Sequence, residues 1–280
     1  MSDSQGEPIA VHRAGTKLHA WRYGPVDAPL VACTHGGFMD NRMFDAQLGP
    51  LIDSGYQVLT WDVPGHGSTE PANRDPSAVD LAKDLLSIID TLKPPGRVCL
   101  VGQSLGGIVA QHVLLTAPER VSGLVVIGAP CVTLASRRLN LMMAVLWRVS
   151  GAVTGLLPES VIRRQLVEGT AVDPTVQGYV RAVTARVTKR QFRWLVDISL
   201  RAGRRLPGYR IDQPVLIARG ARDGSGAGKL TARTAPHWTH RDPHARYELV
   251  PDAGHQTNQD NPETFNRILL DFLAELDDWW

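Results

Sequence analysis

The sequence predicts an α/β fold: an open, mostly parallel sheet with a helical block inserted into it. Short runs rich in Val, Ile and Leu recur without polar alternation, which suits strands buried on both faces. Helical periodicity fills the spans between them, the alternation that right-handed crossovers and a parallel sheet produce. One block, from about Val132 to Pro207, departs from this with helix-like segments and no convincing strand.

The elements follow in order. His12 to Tyr23 carries a Gly-Thr turn between two short strand-like runs and reads as an opening antiparallel hairpin. Strands are then expected at Leu30–Thr34, Gln57–Trp61, Arg97–Val101, Leu124–Ile127, Pro214–Ala218 and Ala245–Val250. Between them, Asp80 to Leu92 sets Leu81, Leu85, Ile88, Ile89 and Leu92 on one face. Leu105 to Thr116 reads as a helix that starts directly after a strand, and Pro262 opens a final helix to about Leu276. The division expected is a first core part over residues 1–131, a helical cap over 132–207 and a second core part over 208–280. A chain of 280 residues accommodates such a single large domain with an insertion.

Composition removes several function classes. Thirty basic and 28 acidic residues leave a net charge of +2, which does not point to a nucleic-acid binder. Cys33, Cys99 and Cys131 are too few and too scattered for a disulfide framework or a zinc site, so no metal is expected. The N-terminal MSDSQGEPIA lacks the basic and apolar regions of a signal peptide. The longest apolar stretch, Leu139 to Leu157, is interrupted by Arg148 and reads as a buried amphipathic helix, so no membrane span is expected. These features lead to an expectation of a cytoplasmic protein, a monomer or homodimer.

The chemistry-bearing motifs sit at strand ends. Gly102-Gln103-Ser104-Leu105-Gly106 matches G-x-S-x-G in the strand–turn–helix setting that this motif requires. Glycines on either side let strand and helix approach while the Ser104 hydroxyl projects as a nucleophile. His35-Gly36-Gly37-Phe38 follows another strand. Its Gly37 N–H, with that of Leu105, is expected to hold the oxyanion that forms when an acyl carbon is attacked; Phe38 is the alternative donor. His35 is expected to shape the loop.

Nine histidines compete for the general base. His255, in Val250-Pro251-Asp252-Ala253-Gly254-His255, falls on a loop at the C-terminal edge of the sheet, where ligands bind in open α/β sheets. His237, His240 and His244 occupy a polar, proline-flanked connection. His66 sits in a tight turn, His112 on the helix after Ser104, and His12 and His19 in the hairpin. The acid expected is Asp223, after the strand PVLIARG, in the chain order serine, acid, histidine. Asp252, three residues from His255, is the rival and fits loop structure better. The stretch Gly224 to Lys229 resembles a phosphate loop, but Leu230 stands where Ser or Thr would hold magnesium, and it reads as a flexible loop.

Taken together, HGG, WDVPGHG, GQSLGG, the strand ending at Arg222-Asp223 and PDAGH resemble the α/β-hydrolase superfamily, from about His12 to Leu276 apart from the cap. The resemblance implies an eight-stranded sheet with strand two antiparallel. It also implies that Asp62 and the Pro64–Gly67 turn steady a loop near the site. Ser104 stands where haloalkane dehalogenases and epoxide hydrolases carry aspartate. Lys189 is the one cap lysine that a hydroxynitrile-lyase reading would use. The expected activity is cleavage of a carboxylic ester or lactone through an acyl-enzyme, without cofactor. The alternatives are C–C bond hydrolysis, acyl transfer, perhydrolysis or a cofactor-free reaction on the same residues, or a non-catalytic binding protein.

The expected ligand is a small, largely apolar molecule, held in a pocket to which Phe38, Met142, Met143, Leu146 and Trp147 contribute. Between Val132 and Pro207 stand 13 Lys or Arg against 4 Asp or Glu, which opens the options of an anionic group on that molecule, of an acidic docking partner or of solvated helix faces. Trp279 and Trp280 are expected to dock on the body.

Overall fold

In the computed structural model, which describes residues 6–133 and 157–280, eight strands make one sheet. They are β1 (Glu7–Arg13), β2 (Thr16–Tyr23), β3 (Leu30–Thr34), β4 (Gln57–Trp61), β5 (Val98–Gln103), β6 (Val121–Ile127), β7 (Val215–Gly220) and β8 (Ala245–Val250). Their order across the sheet is β1-β2-β4-β3-β5-β6-β7-β8. As expected, β2 runs antiparallel to both its neighbours and every pair from β4 onward is parallel.

The absence of polar alternation has a direct cause. Along β3, Leu30 and Ala32 join the core on one face of the sheet, while Val31 and Cys33 join the core on the other. The first face is covered by α2 (Ala78–Leu92), α3 (Leu105–Thr116) and α7 (Gly226–Arg241), the second by α1 (Asp45–Asp53) and α9 (Pro262–Ala274). Only an apolar side chain suits either position. β8 lies at the edge, and most of its residues are half-buried.

Helix boundaries follow local chemistry. Ser77 caps α2 in a reciprocal capping box with Asp80, and Lys93 closes it in the left-handed region. Between β6 and β7 lie α4 (Glu159–Thr170), α5 (Pro174–Thr184) and α6 (Lys189–Arg201), with no strand among the described residues. Asp173 caps α5, and Thr188 with Gln191 boxes α6.

Two segments correct the sequence reading. Gly224 to Lys229 is no flexible loop: Ser225 accepts a hydrogen bond from the Gly228 N–H at 3.0 Å and starts α7. The polar connection holding His237 and His240 is the rest of that helix; both histidines are exposed, and Trp238 is the fully buried anchor. α1 was not expected at all. Both helices contain an internal proline, Pro50 or Pro236, which argues against a helix from sequence and is outweighed by burial of one face. Strand β6 also starts earlier than expected, because Val121 and Gly123 already pair with Val98 and Cys99.

The strand order places the site. The chain steps from β3 outward to β4, then returns to β5 on the opposite side of β3. The switch point therefore lies between β3 and β5, and a crevice opens at their C-terminal ends. At the far end of the molecule Trp280 packs on Tyr56, with ring centroids 5.7 Å apart, so the chain end docks on the body. No helix among the described residues is long and apolar enough to cross a membrane.

Candidate active site

Ser104 sits between the last residue of β5 and the first of α3, with φ 50° and ψ −108°. A non-glycine residue there is strained and persists only where its surroundings impose it. The glycines impose it here. A Cβ on Gly102 would run into the backbone of Gly106, and one on Gly106 into the Thr34 carbonyl on β3. The Ser104 N–H donates to the Ile127 carbonyl at 2.8 Å, and its own carbonyl accepts from Ile108 at 3.1 Å.

Gly37 lies in the loop after β3. That strand neighbours β5 with Thr34 opposite Gly102, so the Gly37 loop and the Leu105 N-terminus of α3 start side by side. Phe38 is held at φ 69° and lines the cavity beside Gly37, while the Leu105 side chain is buried. His35 shapes this loop: its Nδ1–H donates to the Gly36 carbonyl at 2.7 Å, and its Nε2 accepts from the Val63 N–H at 3.0 Å. Burial lowers its pKa to about 4, so it is neutral. His66 is pushed down to about 3, first by burial and then by the adjacent His35. His112 donates from Nε2 to the Ala202 carbonyl at 3.1 Å. Asp62 accepts from the Asn41 N–H at 2.8 Å and the Ser68 N–H at 2.6 Å, joining the loops that follow β3 and β4.

His255 and Asp223 come together from loops 32 residues apart. The His255 Nδ1–H donates to Asp223 Oδ2 at 2.8 Å, and the Asp223 carboxylate is fully buried. Burial alone would raise the Asp223 pKa. The hydrogen bond and charge of His255, with hydrogen bonds from Ser225, outweigh it and hold the carboxylate below its ordinary range. Asp252, the rival, is exposed at φ 52° and serves the turn before His255. Gly128 at the end of β6 has φ 59°, and a Cβ there would lie 3.0 Å from His255 Nδ1.

Four further residues escaped the sequence reading. Ser225 Oγ lies 3.2 Å from His255 Nδ1, and its N–H donates to Asp223 Oδ1 at 3.0 Å. The Gln103 amide donates to the His255 carbonyl at 2.8 Å and packs on Gly36, bridging two loops. Asp260 accepts from Gly254, Val172 and Asp173 at 2.8–3.0 Å, tying the His255 loop to the α4–α5 turn. Tyr179 on α5 donates to the Asp40 carboxylate at 3.1 Å, beyond the Gly37 loop. Only Gln103 carried a signal, its place inside G-x-S-x-G.

Ser104 and His255 line one cavity of about 270 Å³. Phe38, Ile108, Leu166, Phe192 and Leu195 supply much of its apolar wall. Phe192 stacks on Phe38, with centroids 6.1 Å apart, and a Cβ on Gly37 would come within 2.6 Å of Leu195, so α6 sits directly over the loop. Among the described residues no Lys, Arg, Asp or Glu lines the cavity. Of the pocket residues expected, Phe38 is there, while Met142, Met143, Leu146 and Trp147 lie outside the described residues. Lys189 starts α6 with its N–H on Glu159 and is not part of the lining. No three His, Cys, Asp or Glu side chains gather as a metal-ligand set among the described residues.

A sequence profile described as "Alpha/beta hydrolase family" matches residues 31–268. A putative carbamate hydrolase of Variovorax paradoxus is 35% identical over 114 residues, 40% of this chain and 42% of that protein's length. A putative non-heme bromoperoxidase of Mycobacterium tuberculosis is 30% identical over 258 residues, 89% of this chain and 94% of its own. Among solved structures, a hydrolase from Pseudomonas aeruginosa superposes with a TM-score of 0.80 at 24% identity, over 96% of this chain and 99% of that one.

Proposed function

The chain belongs to the α/β-hydrolase family, and from that premise we propose that it is a serine hydrolase cleaving an uncharged, largely apolar carboxylic ester or lactone. The observation that carries the reading is the buried His255–Asp223 pair, whose ring lines the same cavity as a backbone-strained Ser104.

The mechanism follows from these groups. Asp223, held ionised, fixes the His255 tautomer that carries its proton on Nδ1. His255 Nε2 then takes the Ser104 proton as Oγ attacks the acyl carbon. The N–H groups of Gly37 and Leu105 receive the oxyanion; each such donor is worth about 2.7–4 kcal/mol in the transition state. The tetrahedral intermediate collapses, the C–O bond breaks, and His255 returns the proton to the departing alkoxide. Water attacks the acyl-serine by the same route and releases the acid, with Ser104 reprotonated.

Among the described residues the lining is uncharged, which favours an ester or lactone over a substrate with free carboxylates, whose desolvation in an apolar cavity needs a paired cation. The test is a panel of p-nitrophenyl esters and lactones with wild type and Ser104→Ala. Turnover and labelling by a serine-directed phosphonate are expected in wild type alone. Undiminished turnover by Ser104→Ala overturns the reading.

A further inference from the structure

The reaction cavity uses only one face of α6. Phe192, Leu195, Val196, Ser199 and Leu200 turn toward it. The opposite face carries Arg190, Arg193, Trp194, Asp197 and Arg201 and lines a second cavity of about 500 Å³. Its far wall is the segment from Asp75 to Val79 that leads into α2, with His112 of α3 and Arg204 completing it. The Trp194 indole N–H donates to the Pro76 carbonyl at 3.0 Å and ties the two walls together.

The charge of this second cavity is unbalanced. Arg190 pairs with Asp75 at 3.2 Å across the cleft, and Arg201 pairs with Asp197 at 2.8 Å along the helix. Arg193 and Arg204 have no acidic partner among the described residues, and no other acid lines the cleft. The first turn of α6 holds Lys189 and Arg190, and the Glu159 carboxylate accepts from the Lys189 N–H at 3.2 Å, at the end where the macrodipole favours anions. Arg190 and Arg193, three residues apart, repel one another. The two ion pairs leave the exposed guanidinium groups of Arg193 and Arg204 without a counter-charge, which an anion seated in the cleft would supply. Guanidinium groups meet phosphate oxygens through paired N–H bonds, which lysines in their place would not do.

We propose that the cleft between α6 and the start of α2 is a binding site for a small, multiply charged anion of the oligophosphate class, held chiefly by Arg193 and Arg204. The site is separate from the reaction cavity and shares α6 with it as a common wall. The cap's basic charge thus serves a second ligand, and the proposal stands whatever bond the enzyme cleaves.

Calorimetric titration of the full chain with inorganic tripolyphosphate at low ionic strength tests it. One saturable site is expected, and its affinity falls as salt is added. The Arg193→Gln/Arg204→Gln variant is expected to lose at least tenfold in affinity. Arg233→Gln, at an exposed position of α7, keeps it, and so does Ser104→Ala, which separates this result from the fate of the hydrolase reading. Circular dichroism checks that the double variant is folded. Absence of saturable binding, or binding that the double variant and Arg233→Gln weaken equally, or that the double variant leaves unchanged, overturns the proposal.

Discussion

Gly228 lies one turn into α7, and its Cα faces the carboxylate on which the proposed triad depends. A Cβ at this position would overlap the Asp223 carboxyl group. Gly228→Ala must therefore move either the helix start or the acid, although the residue touches no substrate. A displacement near an ångström in such a constellation costs about 10²-fold in rate. We expect kcat/KM on the best ester to fall by about that factor while circular dichroism is unchanged; an alanine variant as fast as wild type would show that the Asp223 position is not critical. This residue also marks the limit of what the sequence reveals. Gly102, Ser104 and Gly106 could be read because one five-residue motif carries all three, although what crowds Gly106 is Thr34 on β3. Gly128 and Ser225 could not, because the His255 imidazole they meet comes from another loop, and Gly228 could not, because no pattern marks the helix start that folds back on Asp223 five residues before it. The Gly224–Lys229 segment reads as a flexible loop for that reason, when its Gly228 is where a helix presses against Asp223.

At the scale of elements, Asp260 on α8 (Thr257–Asp260) joins what would otherwise be independent pieces. Its carboxylate accepts N–H groups from the α4–α5 turn and from Gly254, the residue before His255. The Gln256 N–H donates to the Thr170 carbonyl at 2.9 Å, on the same seam. Asp260→Ala leaves three N–H groups without their acceptor, at about 1–3 kcal/mol for each one that stays buried. The expected result is a lower urea midpoint with a larger relative change in KM than in kcat, since the seam positions cavity walls. Loss of stability with both kinetic constants intact would limit Asp260 to a structural part. The strands could be predicted because a residue buried on both faces has few options, and β3, β4 and α3 fall at the expected bounds. α1 and α7 were hidden by Pro50 and Pro236, whose local cost is overridden by long-range burial of residues such as Leu51 and Trp238.

The whole molecule carries a titration that the motifs conceal. His35 and His66 are buried with ring centroids 5.2 Å apart, and folding holds both neutral. Their folded pKa values, about 4 and about 3, lie below the ordinary 6.5. The unfolded chain thus takes up protons first as pH falls. The stability these groups supply is complete above 6.5 and is lost progressively toward their folded values. For His35 alone the difference corresponds to roughly 3 kcal/mol. Asp62 and Asp260, whose carboxyl pKa values burial raises, act in the opposite sense, while His112, lowered by burial, adds to the decline, so the two rings are read best just below 6.5. Urea unfolding from 6.5 to about 5 should show stability declining as pH drops. His66→Phe should flatten the decline, because the phenyl ring suits the contacts with Phe38 and Trp194 and cannot be protonated. It also removes an Nε2 that has no hydrogen-bond partner among the described residues, which offsets loss of the bond to the Pro64 carbonyl. A wild-type stability that is flat from 6.5 to about 5 would mean that the two rings do not govern acid sensitivity, and that water reaches them more readily than their burial indicates.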